Sequence, residues 1–62
     1  MKFIQVVAEY RNMLINVSDI SVIQDSKENE CKTDIFLRDN TIITVDHSYE
    51  EIVEMLNELK II

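Results

Sequence analysis

The chain has 62 residues, with 12 acidic against 6 basic side chains and a net charge of −6. Nucleic-acid binders gain affinity from phosphate contacts through a basic patch. Here Lys2, Arg11, Lys27, Lys32, Arg38 and Lys60 stand singly along the chain, so neither nucleic acid nor an anionic membrane is an expected partner.

Glycine and proline are absent. That excludes a Gly-rich phosphate loop and a dinucleotide fingerprint, which both need several glycines. It also leaves no stretch with linker composition, so residues 1–62 are expected to form one small domain. No run approaches the ~20 apolar residues of a membrane span. The first ten residues do not fit a signal peptide, because Gln5 interrupts the apolar run and Glu9 and Arg11 follow it. A single cysteine, Cys31, suits a reducing cytoplasm and excludes an internal disulfide. With one histidine beside it, a four-ligand structural zinc site is not expected. A chain this short buries only roughly 60% of its unfolded surface. Of the usual remedies, oligomerisation is the one left, with a well-packed monomer as the alternative.

Lys2 to Tyr10 reads as a strand from its Val, Phe and Tyr content. Arg11-Asn12 is the expected turn, after which Tyr10 faces Met13 and Ala8 faces Ile15. One face then carries Ile4, Val6, Ala8, Tyr10, Met13, Ile15 and Val17. The other carries Phe3, Gln5, Val7, Glu9, Leu14 and Asn16. Asn16 to Asp19 breaks the pattern with side chains that bond their own backbone, so a single helical turn or a kink is expected there. Ile20 to Gln24 resumes as a strand, and Asp25 to Glu30 is an exposed polar loop.

Cys31 to Leu37 and Thr41 to Val45 are the next strands. A three-residue loop, Arg38-Asp39-Asn40, pairs Ile35 with Ile43 and Thr33 with Val45, and it gathers Ile35, Leu37, Ile43 and Val45 on one face. Such loops end in a left-handed residue, and Asn40 suits that place best among non-glycines. The opposite face holds Asp34, Phe36, Ile42 and Thr44. Ser48 and Glu51 have capping-box spacing, so a helix starts there and ends near Leu59. Tyr49, Ile52, Val53, Leu56 and Leu59 share its apolar stripe, with Met55 on the flank. Ile61 and Ile62 are expected to dock on the sheet or on a partner chain.

Candidate chemistry is thin. Asp46 and His47 could form a catalytic pair, but no nucleophile is placed beside them, and His47 reads as an exposed loop histidine. Cys31 reads as a buried or half-buried inert thiol. Glu50, Glu54 and Glu58 form a row at helical spacing, which reads as a solvated face. Asp19, Asp39 and Asp46 fit turn and cap chemistry. Tyr10 and Tyr49 read as core-edge residues, since no basic side chains interleave with them as on a stacking platform. No catalytic, cofactor or metal residue is assigned, and no enzyme is expected. The sheet face that one short helix leaves uncovered is more telling. Phe3, Val7, Leu14, Phe36 and Ile42 form an apolar strip there, which reads as an oligomer interface.

The run N-M-L-I-N-V-S-D-I-S-V-I, the hairpin T-D-I-F-L-R-D-N-T-I-I-T-V and the helix start D-H-S-Y-E-E-I-V-E-M-L resemble the small FlbD-like flagellar and swarming-motility proteins. These share an I-N-x-x-x-I-x-x-I run, an I-x-L-x-(D/N)-G hairpin and a V-x-E-S-x-E-E-I helix start. The resemblance covers roughly residues 12 to 57. It departs at Asn40-Thr41, where the family tends to have glycine, and at Asp46-His47, where it has a charged pair ending in Glu. It implies a small accessory protein without enzymatic activity and supplies no site residues. The same pattern is similar to the first half of a LytTR-type DNA-binding domain, which implies an accessory transcriptional regulator as the alternative. The half with the basic DNA-contacting residues has no counterpart here.

The expectation is therefore an α+β fold: an antiparallel meander of four to five strands with one C-terminal helix on one face. The protein should be a cytoplasmic homo-oligomer, dimeric or higher, with a further protein partner left open.

Overall fold

The computed structural model describes residues 2–61. Five strands precede one helix: β1 (Phe3–Ala8), β2 (Arg11–Asn16), β3 (Ile20–Asp25), β4 (Thr33–Leu37), β5 (Ile42–Val45) and α1 (Tyr49–Glu58). The fold is a small α+β arrangement, as the patterning indicates. The strands, however, form two antiparallel sheets, a ribbon β1-β2 and a sheet β3-β4-β5, in place of one continuous meander.

The break lies where the turn-forming side chains cluster. Asn16 caps a 3-10 turn over Val17–Asp19, its side chain accepting from the Ser18 amide at 3.0 Å. β3 therefore starts in a new direction and does not pair with β2. A bulge at Ser21 follows, between the pairs Ile20–Leu37 and Val22–Phe36. It places Ile20 and Ile23 toward the core although they are three residues apart.

The β1-β2 turn is Glu9-Tyr10 and not Arg11-Asn12. Both residues have positive φ, 53° and 63°, and Ala8 pairs with Arg11, Val6 with Met13 and Ile4 with Ile15. The shift is even-numbered, so Ile4, Val6, Ala8 and Ile15 stay on the buried face. Tyr10 leaves that face and is 100% exposed, which overturns its reading as a core-edge residue. The β4-β5 hairpin has the anticipated register. Thr33 pairs with Val45 and Ile35 with Ile43, and Asn40 has φ 70° at the end of the three-residue loop. β4 begins at Thr33, so Cys31 lies in the preceding loop and is exposed, against the expectation of a buried or half-buried thiol in the strand.

The Ser48–Glu51 capping box is present in both directions. At the other end Lys60 (φ 60°) closes the helix. Its amide donates to the Asn57 carbonyl at 2.9 Å, and the Ile61 amide to that of Leu56 at 3.0 Å. This is a Schellman closure with lysine where glycine is usual. Ile61 beyond it is exposed, and Ile62 lies outside the described residues.

The inner faces of both sheets and one stripe of α1 meet in a single cluster of Ile4, Val6, Ala8, Ile15, Ile35, Val45, Ile52 and Leu56. Thr33 is the buried polar residue, and its hydroxyl donates to the His47 carbonyl at 2.8 Å. The two sheets are also joined directly, at Val7. This residue lies opposite Asn12 in the ribbon, and its main-chain groups bond away from β2. The Val7 carbonyl accepts from the Asp46 amide at 2.7 Å, and the Val7 amide donates to His47 Nε2 at 2.9 Å.

Candidate functional site

The outer face of β3-β4-β5 carries two cross-strand rows. Val22, Phe36 and Ile42 are paired neighbours across the three strands, as are Gln24, Asp34 and Thr44. The first row is apolar, with Val22 and Ile42 exposed and Phe36 half-buried. The second is polar and internally bonded, Thr44 donating from its hydroxyl to Asp34 at 2.7 Å.

This face is the floor of a broad open groove. The β1-β2 tip, through Ala8, Tyr10 and Met13, forms one wall, and the Ser26–Asn29 segment with Lys32 forms the other. The loop wall is braced by Asx-type and hydroxyl contacts. Asn29 accepts from the Cys31 amide at 2.8 Å, and Lys32 pairs with Asp46 at 3.2 Å. The chain exposes 4638 Å², against about 4,200 Å² for a compact monomer of its mass of 7.3 kDa. Its radius of gyration, 10.6 Å, is that of a compact chain of this length, so elongation does not supply the excess.

The apolar strip expected to be an interface is divided by the two-sheet arrangement. Phe36 and Ile42 lie together on the groove floor, and Val22, outside the lining, neighbours Phe36 across the strand pair. Phe3 and Leu14 lie on the outside of the ribbon, away from the groove lining, with Leu14 65% exposed. Val7 is half-buried at the joint between the sheets. The reason is the 3-10 turn, which separates the strands that one continuous sheet would have aligned. Two apolar residues lie outside the expected strip, Tyr10 in the groove wall and Val22 next to the floor. Val22 turns outward because of the bulge at Ser21, and Tyr10 because of the displaced turn. A period-2 reading of Ile20–Ile23 cannot detect a bulge.

His47 is not the exposed loop histidine expected. Its side chain is only 17% exposed, and both ring nitrogens are engaged. Nε2 accepts from the Val7 amide, so Nδ1 carries the proton of the neutral ring and donates to Glu51 Oε2 at 3.3 Å. The Ser48 amide, and then the His47 ring, hold the Glu51 carboxyl below its ordinary range. Asp46 is turned to Lys32, so the neighbouring acid does not orient the imidazole. Asp39 accepts from the Thr41 amide at 3.0 Å, and Thr41, by side chain and then backbone, holds its carboxyl low. Glu50, Glu54 and Glu58 are exposed along α1, as a solvated face should be. Among the described residues, no three His, Cys, Asp or Glu side chains converge as a metal site. Nor is any described helix long and apolar enough to cross a membrane.

No protein-family model, curated protein or solved structure matches the chain.

Proposed function

We propose that this is a small non-enzymatic bacterial accessory protein that works in the cytoplasm as a homo-oligomer, two or more copies associating through the concave face of β3-β4-β5. The observation that carries this reading is the apolar pair Phe36–Ile42 on the groove floor, continued beyond the lining by exposed Val22 in the same cross-strand row, with Tyr10 on the groove wall. Water-exposed apolar rows of this kind, rimmed by polar side chains, mark association surfaces. The rim here is charged with both signs, from Glu9 and Glu28 to Lys27 and Lys32. Phe3 and Leu14 give the ribbon a second, smaller apolar patch, which allows assemblies above the dimer. The resemblance to FlbD-like proteins supports an accessory role without catalysis.

The test is the concentration dependence of thermal unfolding. An associating native state is stabilised by mass action, so Tm rises as protein concentration rises. Phe36→Asp should abolish that dependence. A Tm independent of concentration in the wild-type protein, with Phe36→Asp leaving stability unchanged, would remove the proposal.

A further inference from the structure

We infer that His47 is a proton-operated latch between the two sheets: neutral, it holds the β1-β2 ribbon through the Val7 amide; protonated, it releases Val7 and keeps Glu51 alone. The inference does not depend on the proposed association.

The geometry admits one neutral tautomer. The Val7 amide is a donor only, so Nε2 at 2.9 Å must present its lone pair. Nδ1 then bears the hydrogen and faces the Glu51 carboxylate. A second proton has one place to go, Nε2. That sets N–H against N–H, and the Val7 bond is lost. The Glu51 contact, by contrast, becomes an ion pair with both partners charged and shortens. Protonation thus moves the ring from β1 toward α1. Glu51 is still an anion when this happens, because the Ser48 amide holds its carboxyl low.

Among the described residues, the charged surroundings of the ring are few. α1 contributes Glu51, and the chain next to the ring contributes Asp46, already paired with Lys32. β1 contributes an uncharged amide, with exposed Glu9 two residues beyond it. From β4, the Thr33 hydroxyl fixes the His47 carbonyl, so the ring can turn while the backbone stays. The Asp46 amide still reaches the Val7 carbonyl at 2.7 Å, so the ribbon loosens without detaching. Val7 adjoins Ala8, Glu9 and Tyr10, the groove's β1-β2 wall, so the proton reaches the groove through one peptide unit.

Amide hydrogen exchange by NMR tests this, with rates corrected for the intrinsic pH dependence of exchange. Between about pH 8 and about pH 5, the protection of the Val7 amide should fall by about tenfold, the worth of one hydrogen bond. The amide of Ile35 should not change. His47→Gln retains an acceptor and cannot titrate, so its Val7 protection should be flat over the same range. Nitrogen-15 shifts of the wild-type ring at about pH 8 should show Nδ1 protonated and Nε2 bare. An Nε2-protonated ring, a Val7 amide that does not respond, or a response shared equally by Ile35 would each overturn the latch. So would persistence of the response in His47→Gln.

Discussion

The two tight hairpins, β1-β2 and β4-β5, both turn without glycine, and they do so on different terms. In β4-β5, Asn40 takes the left-handed position, which asparagine tolerates, and the Asp39 side chain satisfies the Thr41 amide. Loop chemistry and strand pairing agree. In β1-β2, Glu9 and Tyr10 both take positive φ, at a cost of about 1–2 kcal/mol per residue for a side chain with no local compensation. Pairing explains why this turn is used. The 3-10 turn fixes the end of β2 at Asn16, and the observed register then pairs every residue from Phe3 to Ala8. A turn at Arg11-Asn12 would set Asn16 against Val7 and leave Phe3, Ile4, Gln5 and Val6 without partners. Ladder bonds across β1 outweigh the strain at its tip. Strain next to a groove is also where a functional constraint is commonly found.

The largest way to probe this contrast is to remove core shared by both hairpins. Ile35→Ala empties a fully buried position in β4 and should cost about 2–5 kcal/mol in denaturant unfolding. Leu14→Ala, on the outside of the ribbon, should stay within about 0.5 kcal/mol under conditions where the chain is monomeric. Equal costs would mean that the ribbon packs on both faces.

Next comes the turn itself. Replacing Glu9-Tyr10 by Asn-Gly should stabilise the protein by about 1–2 kcal/mol, because glycine relieves its left-handed position at an entropic cost and asparagine relieves the other only in part. Asn40→Gly should gain no more than about 0.5 kcal/mol, because that site is already suited to its residue. If the two gains were alike, the strain assigned to the first turn would be wrong.

These results bear on how far the sequence alone could reach. Where local chemistry and burial point the same way, as at Arg38-Asp39-Asn40 and at the Ser48–Glu51 box, residues and register could be read directly. Where they conflict, local preference misleads. Asn12 attracts a turn that pairing places at Glu9-Tyr10, and the bulge at Ser21 hides Val22 from any alternation of two. The break at Asn16–Asp19 was readable as a turn, but its separation of the strands into two sheets was not, because that depends on contacts between residues far apart. The candidate interface is divided for the same reason. His47 reads as exposed from its neighbours alone because the group that takes its Nε2, the Val7 amide, lies 40 residues away along the chain.

The smallest expected effect lies in acid. Thr41 holds the folded Asp39 carboxyl below its unfolded value. Its contribution is therefore present above the unfolded value and is lost as the pH falls through the folded one. The stability difference between wild type and Asp39→Asn, followed by urea unfolding at successive pH values, should shrink as the pH drops through the carboxylate range. A difference that grows in acid would reverse the assigned sign.

The most direct test of the central claim is sedimentation velocity at micromolar concentration on the wild type, Ile42→Asp and Leu14→Asp. Ile42 is 56% exposed on the groove floor, so its substitution leaves the monomer's core intact. Association through the concave face predicts a wild-type dimer or larger species, a monomeric Ile42→Asp and a Leu14→Asp that still forms at least the dimer. A wild type that sediments as a monomer, or an Ile42→Asp as associated as the wild type, would contradict it.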